Sequence, residues 1–560
     1  MVPGVLPVSA WLVMGLVVPV GVFFVYGFWQ TGFFTIDRVW NTDNYREVWG
    51  DPFYRSLLFR TVATGLLVAA VTVPLAYAVA YVVTFSLRRG RQTVVLLILG
   101  SMLSSYLVRI YAWKSILGPT GVINDVLDRI GLIDQPLGFL LYSRFALVIT
   151  LISILLPYAI LPIFAALQNV DRDMIRASRD LGAGSIESFI RVTLPLSRRG
   201  VVTAFLFTFI LAAGDYVTPQ LVGGRSGLMV GRVVADQFGV ASNWPLASAL
   251  SFSLLALLAA TVGALWLAGR LTSAAVSFAG QRISWPAGEP RIPGATLLPW
   301  GHFYIGAVLL FLFAPLVIVA VLSFDDSRIP AFPMSGFTLD WYSEVIAGDT
   351  FRSALRNTLV VGVATALIDV AIGTPAAFAL ARRRFLLRTP LSALLLLPLA
   401  LPGIVLGVSI LTAVDFAGRG TSLRTVVLSH VVFTLPFLVL VMTARLRDFD
   451  RQVEDAARDL GCSQREALRR VTLPIVAPTL VGATLLVFAL SLDEFVITNF
   501  TIGAEATVPV MVWSMLRLGI TPAVNAIATL IVLASLIVMV IAATLLRLRA
   551  HAALRTRGLV

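Results

Sequence analysis

Apolar residues in this chain are gathered into blocks of roughly 20, the length that a helix rising about 1.5 Å per residue needs to cross about 30 Å of hydrocarbon. The blocks lie near 8–28, 57–82, 93–115, 144–168, 201–222 and 245–269, and again near 300–323, 357–381, 389–414, 426–445, 478–498 and 522–546. They predict an all-α integral membrane protein of twelve spans, six plus six. Composition agrees: 58% of the 560 residues are hydrophobic and 13% are charged, against about 45–50% and about 25% in soluble domains.

The formal net charge of +13 is carried by arginines in alternate loops, not by a folded basic domain with aromatic stacking residues, so nucleic acid is not an expected partner. Arg88, Arg89 and Arg91 follow the second span, Arg382, Arg383 and Arg384 the eighth, and Arg547, Arg549, Arg555 and Arg557 the twelfth. The positive-inside bias makes these ends cytoplasmic. The intervening loops carry Asp43, Asp51, Asp125, Asp128, Asp325, Asp326, Asp340 and Glu344 and are expected outside. Both termini are then cytoplasmic. Lys114 is the sole lysine, an arginine bias that points to a high-GC bacterium and its cytoplasmic (inner) membrane. Cys462 excludes an internal disulfide, and His302, His430 and His551 are too scattered for a metal cluster, so all four are read as packing or surface residues. The first span is longer than a signal-peptide core and is read as a retained helix.

An internal repeat organises the rest. DRDMIRASRDLGAGSIESFIRVTLP at 171–195 aligns without a gap to DRQVEDAARDLGCSQREALRRVTLP at 450–474, with 13 identities in 25 positions. The register continues, so GDYVTPQLVGG at 214–224 lies opposite DEFVITNFTIG at 493–503. The expected organisation is a first transmembrane half at 1–270, a Pro- and Gly-rich cytoplasmic linker at 271–298 and a second half at 299–560. Each repeated loop reads as a short amphipathic helix, a turn at Gly182 or Gly461, and a basic helix ending at Pro195 or Pro474. Such an elbow on the cytoplasmic face is a natural dock for another protein.

The loop resembles the EAA loop of ABC importer membrane subunits, in which an acidic residue and two alanines stand three residues before a glycine and the first helix couples to the ATPase. Asp455, Ala456, Ala457 and Gly461 fit that pattern, with Asp459 between them. Arg176, Ala177, Ser178, Asp180 and Gly182 fit it less closely, because Arg176 replaces the acid. SYLVRIYAW at 105–113, LGPTGVIN at 117–124 and GDYVTPQLVGG resemble the B-type permease subunit of spermidine/putrescine importers. GFTLDWY at 336–342, SHVVFTLPF at 429–437, SLDEFVITNFTIG at 491–503 and GITPAVNA at 519–526 resemble the C-type subunit. The resemblance implies a type I permease fold with the two subunits fused. It also implies two copies of a cytoplasmic ABC ATPase, an extracytoplasmic solute-binding protein, a polyamine substrate and surrounding lipid as partners.

A phosphate-binding loop of the G-x-x-x-x-G-K-[ST] type needs a lysine, and Lys114, in YAWKSIL, has no glycine-rich run before it. ATP and Mg²⁺ are therefore expected in partner subunits, and this chain is expected to hold no cofactor and no catalytic constellation.

An ionisable side chain at mid-membrane costs about 2.5–3.5 kcal/mol on insertion scales. Asp215 aligns with Glu494 and Tyr216 with Phe495, while Asp493 adds a second acid in the second half. These residues are candidates for the substrate pathway, carboxylates answering ammonium groups and aromatic faces adding cation–π attraction of about 0.5–2 kcal/mol. The alternative is structural: acids hydrogen-bonded where the helix opens near Pro219, or sitting at the lipid boundary. Asp369, in the middle of the eighth span, could line the same path or find a partner within the bundle. Tyr111 and Trp113, with Tyr106, read either as part of a substrate cage or, more readily, as an interfacial aromatic belt. Rival readings keep the fold and change the solute to ferric iron, thiamine or an aminophosphonate, or replace ATP coupling with a proton-driven secondary transporter.

Overall fold

Helices make up most of the described residues. The computed structural model describes residues 4–32, 35–87, 90–102, 104–279, 297–327, 334–383, 385–518, 522–534 and 536–537. Most of the linker expected at 271–298, together with Arg88, Arg89, Arg384, the four C-terminal arginines and the end of the twelfth span, lies outside the described residues. Among the described residues, nine helices are long and apolar enough to cross a membrane, and two bent helix pairs bring the number to eleven. A shorter apolar helix, Pro522–Ala534, stands where the twelfth span begins. One small antiparallel pairing, Gln30–Thr31 with Ile36–Asp37, interrupts the all-α pattern.

The spans expected near 93–115 and 389–414 each fall on a bent pair of helices. Arg388–Ala400 and Gly403–Phe416 meet at 105°, and Arg91–Met102 and Tyr106–Arg129 at 91°. In the second half Pro402 forces the break: the residue before a proline is pushed out of the α region, and Leu401 sits at ψ 135. In the first half Arg109 holds the break. Its guanidinium, 2% exposed, donates to the carbonyl of Ser101 and the hydroxyl of Ser104, and reaches Ser153 O at 3.3 Å and Ile154 O at 3.4 Å. A cation beside the freed carbonyls of a helix end is electrostatically favoured.

The described chain forms two compact units. One joins the first helix, through Val25, to the chain from Leu322 onward; the other runs from Tyr26 to Val321. In the first of these, Val5, Val8 and Leu12 belong to the same core as Ala376, Leu435, Leu438 and Val487. In the other, Ile305, Val308 and Leu312 of the Leu297–Leu322 helix share a core with Val73, Ala76, Ile160 and Ala204. Tyr304 ties that helix down by donating to Leu75 O at 2.9 Å. The halves expected at 1–270 and 299–560 follow the sequence repeat; in packing, each gives up its first helix.

Within each unit the same anchors recur. Thr61 accepts from Val230 N at 3.0 Å in one and Thr358 accepts from Val508 N at 2.8 Å in the other. Gly65 packs against Phe209 and Ala213, and Gly362 against Phe488 and Leu492. At Gly200 the Leu194–Ala213 helix approaches Arg144–Gln168 so closely that an added Cβ would stand 2.5 Å from Pro162 O.

Candidate functional site

Two features repeat in both units: a helix–turn elbow and a carboxylate at the point where the following helix stops. The first elbow helix, Arg172–Asp180, starts at Asp171, whose side chain accepts from Asp173 N at 2.9 Å. Gly182 ends it at φ +92, with Gly182 N donating to Arg179 O at 2.9 Å and Ala183 N to Ser178 O at 3.0 Å. Gln452–Asp459 has the same construction: Asp450 caps Gln452 N at 2.9 Å, and Gly461, at φ +93, and Cys462 close onto Arg458 O at 2.9 Å and Ala457 O at 3.1 Å. This is the Schellman closure, which needs a left-handed residue and so favours glycine.

The chain after each glycine departs from the expected second helix ending at proline. Ser185–Ser188 passes through a widened turn, Phe189–Thr193, directly into Leu194–Ala213. Gln464–Ala467 passes likewise through Leu468–Thr472 into Leu473–Asp493. Pro195 and Pro474 are therefore internal. The π-type turn before each proline shifts the hydrogen-bond register where the ring removes a donor.

Most of the elbow residues singled out from sequence face outward. Arg176, Ala177, Asp180, Gly182, Asp455, Ala456, Asp459 and Gly461 are exposed. Ser178 and Ala457, which align, turn inward, and Ser178 Oγ bonds Ser188 Oγ at 2.7 Å. Arg176 pairs with Asp173 at 3.0 Å on the surface, where Asp455 instead lies 3.8 Å from Arg458. Sequence reasoning passed over two of the most exposed apolar groups, Leu181 at 89% and Leu460 at 88%. Both stand immediately before the turn glycine, and their signal is an apolar residue where the amphipathic pattern asks for none.

The helix stops come next. Leu194–Ala213 ends at Gly214, and the buried Asp215 carboxylate accepts from Val217 N at 2.9 Å, Thr218 N at 3.3 Å, the Thr218 hydroxyl and the Tyr106 hydroxyl. Leu473–Asp493 ends at Glu494, whose carboxylate accepts from Ile497 N at 2.8 Å, Thr498 N at 2.9 Å and Thr498 Oγ1 at 3.0 Å. In both units, then, the aligned acid caps the turn that restarts the chain, which is what Asp and its analogues do at helix starts. His430, read from sequence as a packing residue, belongs to the second of these sites. Its Nδ1 lies 2.7 Å from Ser491 Oγ and its Nε2 2.7 Å from Thr498 Oγ1.

The other pathway candidates are dispersed. Tyr216 and Phe495 are each 1% exposed, Phe495 against Trp513 at 5.1 Å between ring centroids. Asp493 is half-buried at the helix end. Asp369 is fully buried, accepting from Thr434 Oγ1 at 2.6 Å, and no described contact joins it to Glu494. Tyr111 and Trp113 form no surface belt: both are buried, Trp113 packing on Phe311 at 5.3 Å.

The family of binding-protein-dependent transport system inner membrane components matches residues 48–284 and 370–552, two segments covering most of the chain. The chain belongs to that family. As one of these inner membrane components it is a multi-pass permease subunit of the ABC importer class, with two permease segments in one polypeptide. The permease is similar to the spermidine/putrescine transport system permease protein PotC of Escherichia coli K12, 34% identical over 244 residues, 43% of this chain and 92% of that protein. It is 34% identical over 243 residues to the putrescine transport system permease protein PotI of the same strain, covering 42% of this chain and 85% of PotI. It is 29% identical over 229 residues to the spermidine/putrescine transport system permease protein PotB of Haemophilus influenzae, covering 41% of this chain and 79% of PotB. Each relative is thus matched over most of its own length by less than half of this permease.

Proposed function

We propose that this chain is a fused permease that carries polyamines, spermidine or putrescine, into the cytoplasm, driven by ATP hydrolysis in separate subunits. The observation that carries the reading is the elbow repeated in both permease segments, each with an exposed leucine before a left-handed glycine. Two copies of a cytoplasmic ATPase, holding ATP and Mg²⁺, would each seat on one elbow, and an extracytoplasmic binding protein would deliver the solute. The elbows and the arginine-rich loops then lie in the cytoplasm with both termini, and lipid surrounds the spans. The names of the relatives supply the substrate class.

Within the path, we assign Asp215 and Glu494 to holding open the helix ends, since their carboxylate oxygens are occupied by capping hydrogen bonds. Asp493, Tyr216, Phe495, Asp369, Tyr111 and Trp113 remain candidates for meeting the solute after the permease changes conformation.

The test is uptake of labelled spermidine and putrescine by cells expressing the chain with its ATPase and binding protein. ATP-dependent uptake that ceases when either partner is omitted is expected. Uptake that persists without the ATPase and follows a proton gradient would overturn the coupling, and absence of polyamine uptake by an assembled complex would move the solute to another class.

A further inference from the structure

We propose that the ion pair between Arg382 and Glu454 is the link through which the second elbow moves the Asp349–Arg382 helix. Glu454 lies on the elbow helix Gln452–Asp459, and Arg382 is the last residue of a 34-residue span. Arg382 Nη1 reaches Glu454 Oε2 at 2.7 Å, and the two side chains are only 18% and 12% exposed. The same carboxylate oxygen accepts from Thr472 Oγ1 at 3.2 Å, at the start of the Leu473–Asp493 helix. One carboxylate therefore joins the elbow, the end of one span and the beginning of another. The guanidinium is held from its other sides by the rings of Phe378 at 5.2 Å and Phe449 at 5.5 Å, while its Nε and Nη2 have no hydrogen-bond partner among the described residues.

The first elbow is fastened by different chemistry. The spacing that pairs Thr61 with Thr358 and Gly65 with Gly362 pairs Phe85 with Arg382, and the elbow alignment pairs Ile175 with Glu454. Phe85 and Ile175 are apolar and pack against a common core. Arg172 adds a bond to the backbone, reaching Thr84 O at 2.8 Å. An apolar contact resists compression but forfeits about a quarter to a half of its attraction over about an ångström of separation, whereas opposite charges attract as the inverse of distance and more strongly where water is excluded. The second elbow thus pulls on its span through a largely buried pair of full charges, where the first has one guanidinium on a backbone carbonyl and over the Phe85 ring at 5.7 Å. A helix of this length is a lever of about 50 Å.

The proposal rests on the reading that an ATPase docks on the elbow, and its test separates the two. The full chain is reconstituted with its ATPase and binding protein in liposomes, and uptake per ATP hydrolysed is measured beside ATPase retention and thermal stability. Glu454→Gln should keep the ATPase bound and hydrolysing while uptake per ATP falls about tenfold, within the ordinary range of coupling between sites. The reversed pair, Arg382→Glu with Glu454→Arg, should restore most of that ratio. The apolar pair, Arg382→Phe with Glu454→Ile, which imports the first elbow's arrangement, should be as stable as wild type yet stay uncoupled. An unchanged ratio in Glu454→Gln, failure of the reversed pair, or full coupling in the apolar pair would overturn the link. Loss of the ATPase from Glu454→Gln would make the pair part of docking and overturn it too. A wild-type chain that holds no ATPase would defeat the docking reading itself, and the link with it.

Discussion

The Nε2 atom of His430 lies 3.4 Å from Glu494 Oε2, so a histidine on the Leu423–Arg447 helix braces the acid that caps the end of Leu473–Asp493. The imidazole is 1% exposed and bridges Ser491 and Thr498 across the helix stop. His430→Ala should therefore remove the partner of Ser491 Oγ and one partner each from Thr498 Oγ1 and the Glu494 carboxylate. Loss of a buried partner costs about 1–3 kcal/mol, and the thermal unfolding of the purified permease in detergent should register it, with His430→Asn less damaging than alanine.

Capping and cation binding make different demands on Asp215. A cap needs an acceptor oxygen, which asparagine retains, while alanine at a cap costs about 0.5–2 kcal/mol. Asp215→Asn should keep stability and most uptake, and Asp215→Ala should lose both. If labelled spermidine uptake falls equally in the two variants while stability is unchanged, the negative charge itself is being used.

Leu181 and Leu460 are exposed to solvent at 89% and 88% and make up an apolar tip on each elbow. Replacing either with aspartate should leave thermal stability within about 0.5 kcal/mol, as surface substitutions generally do. Retention of the ATPase on affinity purification should drop at least severalfold, and the double variant should retain none.

Gly200 is a contact residue, since a Cβ there would meet Pro162 O and the Ala166 Cβ, each at 2.5 Å. Gly200→Ala should push the two helices apart at a cost of about 1–3 kcal/mol. Gly263, with nothing within 4 Å of the same added atom, supplies the control: Gly263→Ala should be neutral or slightly stabilising in the same melt.

The spans and the repeat were legible because both are long signals. A block of roughly 20 apolar residues has few alternatives, and a glycine closing a short amphipathic helix marks the elbow in the residues alone. Other features were hidden by that same strength of signal. The apolar run through Leu401 and Pro402 looks continuous, so hydropathy reads one span where the proline makes two helices. Arg109 was not singled out within SYLVRIYAW: besides the Ser104 hydroxyl its guanidinium reaches backbone carbonyls, and carbonyls leave no mark in a sequence. The alignment of Asp215 with Glu494 was visible; that their oxygens are taken by main-chain N–H groups was not, since a cap and a binding site call for the same side chain. Hydropathy also says that a segment lies in lipid without saying which neighbours it packs against.

Val8 and Leu12 leave the ribosome more than 400 residues ahead of Leu435, Met442 and Val487, with which they share a core. The Leu6–Tyr26 helix must therefore wait in the bilayer until those neighbours have been made. Contacts so distant along the chain form slowly, and a temporary companion, lipid or an insertion factor, has to cover its inner face until the last spans arrive.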